Sequence, residues 1–237
     1  MAQEVTVIHF RQLSDPETST YTYILGDPMS REAVIIDPVR TQVARDLAEL
    51  DAFGLRLTAI LETHVHADHI TGAGDLAERT GAQTVVSRHG GAPCADRQVD
   101  DGDAVIFGNE VIRVIATPGH TAGCVTYHWR DRVFTGDALF IGGCGRTDFQ
   151  GGDAATLYHS VTGKLFPLPD ETLVYPGHDY NGRWVSSIGQ ERHSNPRLGG
   201  TSEAEFVAIM DGLDLPEPKH IHEAVPANQR CGRTTAA

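Results

Sequence analysis

The chain has 237 residues, 40% hydrophobic and 22% charged, with 19 Lys and Arg against 32 Asp and Glu for a net charge of −13; that length fits one large domain, residues 1–237, which needs no disulfide staple to hold a core. The negative charge repels phosphodiester backbones and acidic lipid, and no Lys/Arg cluster rises against it, so nucleic-acid and membrane-surface binding are argued against and small-molecule chemistry is favoured. No apolar stretch approaches the ~18–20 residues of a membrane span, and the opening segment has neither a signal-peptide pattern nor an Arg-rich presequence pattern, so a cytoplasmic protein is expected.

In chain order, β-branched and aromatic runs at 5–10, 20–25 and 33–37 predict three short strands separated by turn residues such as Gly26-Asp27-Pro28, an antiparallel meander. Val43, Leu47, Leu50 and Phe53 then recur at helical spacing, with Gly54 where a helix C′ residue belongs. A strand at 57–62 runs straight into Thr63-His64-Val65-His66-Ala67-Asp68-His69, and a short helix at about 72–80 ends at Gly81. Further strands are predicted at 83–87, 104–107, 111–115, 124–129, 132–135 and 172–175. Asp153 caps a helix carrying Leu157, Val161 and Leu165, and Ser202-x-x-Glu205 is a capping box ahead of Phe206, Val207, Met210 and Leu213. Strands in two blocks with interspersed helices imply an α+β fold of two stacked sheets flanked by helices, rather than one alternating parallel sheet.

Twelve histidines are the compositional oddity, and their placement is informative. His64, His66, His69, His120 and His178 fall in short Gly-, Thr- and Asp-containing segments directly after β-branched runs. Strand ends hand side chains to loops from a rigid scaffold, so four such corners converge if those ends share an edge. The corners offer His64, His66, Asp68 and His69; His120; Asp137; and His178. Imidazole nitrogen with carboxylate oxygen suits Zn²⁺, Mn²⁺ or Fe²⁺ and disfavours an iron–sulfur cluster. A single His–Asp pair near a strand end is more often structural; four corners together reverse those odds. Cys94, Cys124, Cys144 and Cys231 lie far apart with no C-x-x-C pair, which suits reduced thiols without excluding a disulfide.

T-H-x-H-A-D-H at 63–69, P-G-H-T at 118–121, T-G-D at 135–137 and P-G-H at 176–178 resemble the metallo-β-lactamase fold superfamily. With G-C-G-R-T-D-F at 143–149 and P-A-N-x-R-C-G at 226–232, nearly the whole chain resembles its persulfide dioxygenases. The resemblance implies an αββα sandwich of two mixed β-sheets and one Fe(II) per chain, held by His64, His120 and Asp137. It also implies oxidation of glutathione persulfide with O₂ and water to sulfite and glutathione. Two imidazoles and one carboxylate on one face leave open positions where sulfur and O₂ sit side by side. His66, Asp68, His69 and His178 are then expected to orient the ligands and water by hydrogen bonds.

Glutathione carries two carboxylates, which points to Arg146 first and Arg230 second, with Tyr180 and Asn228 adding hydrogen bonds and Cys144 lining the pocket. The ordinary alternative for Arg146 is a pair with Asp148. A homodimer is expected from the resemblance, and the single domain leaves room for a separate sulfurtransferase partner. Spacing alone leaves two other readings open: a dinuclear-zinc thioester hydrolase of glyoxalase II type, in which Asp68, His69 and His178 complete a second metal site, and a non-catalytic metal- or sulfur-binding module.

Overall fold

A computed structural model describes residues 8–233. The predicted strand at 5–10 therefore lies partly outside the described residues, and the first strand observed, β1, runs later, over His9–Ser14. It pairs antiparallel with β2 (Tyr21–Gly26), which pairs antiparallel with β3 (Glu32–Ile36), so the expected meander is present. Beyond β3 the pairing turns parallel, through β4 (Arg56–Leu61), β5 (Gln83–Ser87) and β6 (Arg97–Val99), giving a mixed six-stranded sheet. Each parallel step needs a crossover. Helix α1 (Val43–Ala52) and helix α2 (Ala73–Thr80) supply the first two, and Gly81 closes α2 in the left-handed region at φ 73°.

The second sheet has the order β12-β11-β10-β9-β8-β7, from β7 (Ala104–Phe107), β8 (Glu110–Ala116), β9 (Val125–Trp129), β10 (Arg132–Gly136), β11 (Leu173–Pro176) and β12 (Ser186–Ser187). Only its β10–β11 step is parallel, and α3 (Ala154–Ser160) followed by a π-helical stretch over Val161–Leu165 makes that crossover. Asp153 caps α3 by accepting from the Thr156 amide, and Ser202 with Glu205 forms the reciprocal capping box of α5 (Glu203–Asp211), both as the sequence predicts. The short β6 and β12, together with α4 (Ile188–Ser194) and α6 (Ile221–Asn228), carried no clear sequence signal; α6 even contains Pro226.

The sheets stack face to face. Tyr23, Val34, Ile36 and Leu61 from the first interdigitate with Phe107, Val114, Tyr127, Trp129 and Phe134 from the second. The outer face of the first sheet buries Ile24, Ile35 and Ile60 against Val43, Leu50 and Leu76 of α1 and α2. The outer face of the second buries Val133 and Val174 against Leu157 and Phe206 of α3 and α5. Burying aliphatic side chains on both faces of both sheets contributes about 1.5–3 kcal/mol per large residue and fixes the αββα layering. Among the described residues no helix is long and apolar enough to cross a membrane.

Candidate metal centre

Strands β4, β8, β10 and β11 all end at one edge of the sandwich, and the two sheets are stitched together there. The Val125 amide donates to the Thr63 carbonyl at 2.9 Å, the Tyr21 amide to the Gly177 carbonyl at 2.8 Å, and the Tyr127 hydroxyl to the Glu62 carbonyl at 2.9 Å. These cross-sheet bonds bring the four predicted corners to one place. One ligand atom each from His64, His120 and Asp137 lies within 4.8 Å of the other two.

Each ligand is aimed by a specific neighbour. Asp37, at the end of β3, accepts from the Thr63 amide at 2.7 Å and the Thr63 hydroxyl at 2.8 Å. Having given its proton to Asp37, that hydroxyl is left to accept from His64 Nδ1, 3.0 Å away. His120 Nδ1 donates to the Arg146 carbonyl at 2.6 Å. In both rings the Nδ1 contact leaves Nε2 with its lone pair available for a cation. Burial, reinforced by His66 and His120, holds His64 well below the ordinary imidazole value, so it is the neutral ring a metal requires.

Asp137 follows Gly136, whose φ of 49° lets the chain turn off β10; a Cβ there would lie 2.5 Å from the Thr63 hydroxyl oxygen. Gly119 plays the same part before His120: its φ is 134°, and a Cβ would sit 2.3 Å from the Leu157 Cα of α3. Asp137 Oδ2 is 3.5 Å from His120 Nε2, while its Oδ1 is buried with no hydrogen-bond partner. Two atoms each about 2.1 Å from one cation, at right angles, lie roughly 3 Å apart. The orphaned carboxylate oxygen beside two imidazoles is therefore a set that fits a divalent metal, and leaving it unpaired would otherwise be costly.

The remaining corner residues have other partners. His66 is buried, and its Nε2 lies 3.2 Å from Asp37 Oδ1 and 3.4 Å from Glu62 Oε2. Burial alone would lower its pKa, but these two carboxylates outweigh it and hold the ring well above its ordinary value. Asp68 Oδ2 lies 3.0 Å from His69 Nδ1, 3.1 Å from the Thr20 hydroxyl that donates to it and 3.7 Å from His178 Nε2. Although burial would raise Asp68, His69 and His178 hold it well below the usual carboxylate range. His178 Nε2 is also 3.6 Å from Asp137 Oδ1. His66, Asp68 and His69 form a second close-set group of ligand atoms.

A cavity of about 640 Å³ opens onto His64, His120 and Asp137. Of the residues that the sequence singles out for substrate, Arg146, Tyr180 and Cys144 line it. The Tyr180 ring stacks on His178 with centroids 5.8 Å apart. Burial pushes the Cys144 thiol up to about 11, so at neutral pH it is a protonated side chain packed near Met210, not a nucleophile. The Arg146 guanidinium is engaged bidentately by Asp148 at 2.6 and 2.7 Å, as in the ordinary alternative.

Two substrate expectations need correction. Asn228 is 5% exposed and does not line the cavity: its amide nitrogen donates to the His66 and His69 carbonyls at 2.9 and 2.8 Å, and its oxygen accepts from the Thr71 amide at 2.9 Å. It braces the backbone of the ligand loop from the end of α6. Arg230, two residues on, is exposed and lies outside that cavity. The thiol expectation changes as well: Cys94 and Cys231, 137 residues apart, form a disulfide, while Cys124 and Cys144 are free and buried. Sequence reasoning missed Asp37, Arg183, Arg197 and Lys219. Asp37 directly follows a β-branched run and could have been found on that signal; the three cations stand in no motif.

Comparison with known proteins agrees with this geometry. Residues 16–178 match the metallo-beta-lactamase superfamily model. Over 231 residues the chain is 53% identical to a persulfide dioxygenase ETHE1, mitochondrial, from Homo sapiens, covering 96% of this chain and 90% of that protein. The crystal structure of ETHE1 from Myxococcus xanthus superposes with a TM-score of 0.94 at 57% identity, covering 95% of this chain and all of that one. A hydroxyacylglutathione hydrolase from Gloeobacter violaceus is 41% identical over 165 residues, covering 68% of this chain and 64% of that protein.

Proposed function

This chain belongs to the metallo-beta-lactamase superfamily, in its persulfide dioxygenase branch, and from that premise we propose that it oxidises glutathione persulfide with O₂ and water to sulfite and glutathione, using one ferrous ion held by His64, His120 and Asp137. The observation that carries the reading is the single carboxylate Asp137, its Oδ1 unpartnered, set with two imidazoles at the floor of a cavity large enough for a tripeptide thiol. Atoms balance as one persulfide, one O₂ and one water giving one thiol and one sulfurous acid; the terminal sulfur gives up four electrons and O₂ accepts them. Ferrous iron, when bound, supplies the open positions and the redox couple that this exchange needs.

The chain's own residues supply geometry. Thr63 and the Arg146 carbonyl fix the two imidazoles in the tautomer that exposes Nε2, so no rotation is needed as substrate arrives. Asp68, His69 and His178 keep hydrogen-bonding atoms beside Asp137 and position water and the ligand carboxylate. Cys144 stays protonated and shapes the wall. Residues 1–237 act as one domain, placed in the cytoplasm; a homodimer and a separate sulfurtransferase that delivers persulfide complete the proposal.

A two-zinc thioester hydrolase is the rival, favoured by the second ligand group His66, Asp68 and His69. Against it, His66 Nε2 is taken up by Asp37 and Glu62, which leaves only Nδ1, 3.9 Å from Asp68 Oδ1, for a second metal. Metal analysis of protein produced without added metal, combined with O₂ uptake on glutathione persulfide, decides between them. About one iron per chain with oxygen consumption is expected; two zinc ions with thioester cleavage and no oxygen consumption would overturn the proposal. Loss of turnover in His120→Ala separates an enzyme from a binding module.

A further inference from the structure

The loop that carries His64 rests on two segments distant in sequence, the 88–96 loop after β5 and the end of α6. Val65, set between His64 and His66, packs with Val86 and Ala92, and Cys94 and Val225 lean on the same cluster. Cys231 and Asn228 share a small internal void with His64, Val65 and Thr71. The Cys94–Cys231 bond is the covalent tie across this contact. The polar ties that accompany it are the three Asn228 bonds, the Arg40 guanidinium donating to the Gly232 carbonyl, and an exposed ion pair of 3.7 Å between Arg233 and Asp96. Residues 213–218, leading to α6, have no regular structure, and Pro226 removes one amide from the helix. Cys231 has φ 56°, a left-handed conformation that a non-glycine residue keeps only where its surroundings hold it. The two bridged sulfurs differ in access: Cys94 is half-buried between the exposed Pro93 and the next turn, whereas Cys231 is 2% exposed. Burial pushes the free thiols up, Cys124 to about 12 and Cys144 to about 11, so neither competes for exchange at neutral pH.

We propose that the Cys94–Cys231 bridge is a thiol–disulfide exchange site, open to small thiols such as glutathione, and that its state sets how firmly the ligand loop retains iron. A thiolate attacks the accessible Cys94 Sγ. The bond to Cys231 breaks, a mixed disulfide forms on Cys94, and Cys231 leaves as a thiolate that takes up a proton. A second thiolate then attacks the mixed disulfide and displaces Cys94, so two glutathiones become one glutathione disulfide while the bridge accepts two electrons. In a cytoplasmic setting a disulfide is characteristically transient and not a permanent staple. Closed, the bridge joins two segments 137 residues apart and limits opening of the α6 end. Opened, that end is left to hydrogen bonds and the Val225 contact, and local opening becomes more frequent. Each opening withdraws Asn228 from the His66 and His69 carbonyls and the Thr71 amide, which frees the turn that follows His64. The inference needs a metal at His64, His120 and Asp137 and does not depend on the reaction performed there.

The test takes the iron-loaded full chain, without oxygen, through mixtures of reduced and oxidised glutathione, and removes the glutathione by gel filtration before each reading. Alkylation of the folded protein followed by mass analysis should add two groups, on Cys94 and Cys231, with Cys124 and Cys144 unlabelled and the far-UV circular dichroism unchanged. Iron loss to a ferrous chelator should be about tenfold faster from the dithiol form and should slow again on reoxidation. Amide exchange, measured also on metal-free protein, should quicken about tenfold over 225–232 and 65–72 while the sheets hold their protection. Cys94→Ser should show the fast values at every glutathione ratio. Val207→Ala, in α5 against the outer face of the second sheet, lowers stability away from α6 and should leave iron loss within about twofold of wild type. A bridge that stays closed in excess reduced glutathione while the protein is folded would overturn the inference. So would iron loss and exchange that ignore the state of the bridge, or exchange that quickens evenly along the chain. Because these readings need no turnover, a chain that meets them yet consumes no O₂ on glutathione persulfide loses the proposed reaction and keeps the exchange site.

Discussion

Replacing Asn228 with alanine isolates the brace between α6 and the ligand loop. The side chain is buried and makes three hydrogen bonds to backbone, two from its amide nitrogen and one to its oxygen. Removing it leaves the His66 and His69 carbonyls and the Thr71 amide unpaired inside the protein, at about 1–3 kcal/mol each. Partial relaxation makes a total of about 3–6 kcal/mol reasonable. For a chain of this length that lowers Tm by roughly 10 °C or more. Because the unpaired carbonyls flank the turn that carries the ligands, iron should also be retained less well, read as metal per chain after dialysis against a weak chelator. Asn228→Asp supplies the control. It keeps the volume and the acceptor for Thr71 but turns a carboxylate oxygen toward two carbonyls, so it should be at least as damaging as alanine. If both variants keep wild-type stability within about 1 kcal/mol and full iron, and only KM rises, the brace is wrong and Asn228 serves substrate after all.

Cys94→Ser opens a covalent loop that spans 137 residues and removes about 2–4 kcal/mol by the chain-entropy argument, lowering Tm by roughly 5–10 °C under non-reducing conditions and by nothing under strong reduction. Intact mass under denaturing, non-reducing conditions should show the wild-type chain two hydrogens lighter than its reduced form. Asp46 is fully buried beside Arg45, and burial raises it from 3.8 to about 6 despite that arginine. The folded state therefore binds this proton more tightly than the unfolded state, so its contribution to stability is full below pH 3.8 and is lost as pH rises through about 6. Asp46→Asn should raise stability at pH 7.5, by up to about 3 kcal/mol, and the gain should shrink toward pH 5. A gain that is equal at the two pH values would show that the carboxylate is not the source of the effect.

The layering was legible because period and punctuation agree: β-branched runs bounded by Gly, Asp and Pro became strands, and the Asp153 and Ser202 caps sit where their side chains accept the amides of Thr156 and Glu205. The ligand corners were legible for a related reason, since a His or Asp straight after a strand, beside a glycine, is geometrically costly unless it is used. What escaped depends on long-range pairing. Nothing local in Asn228 announces that its amide spans two carbonyls more than 150 residues earlier, and Cys94 and Cys231 meet only once α6 packs beside the metal loop. The role expected for the Arg146 side chain was displaced by a neighbour two residues on, while its backbone carbonyl took over the orientation of His120. The cavity cations Arg183, Arg197 and Lys219 lie in segments without pattern, where only the fold decides what they face.

Diffraction from crystals of the full chain, measured on both sides of the iron absorption edge, addresses the metal directly, because it reports element, number and ligands in one map. The account predicts one iron peak bounded by Nε2 of His64 and His120 and a carboxylate oxygen of Asp137, with the opposite side facing the cavity. Two peaks shared with Asp68, His69 and His178, bright at the zinc edge and absent at the iron edge, would contradict it.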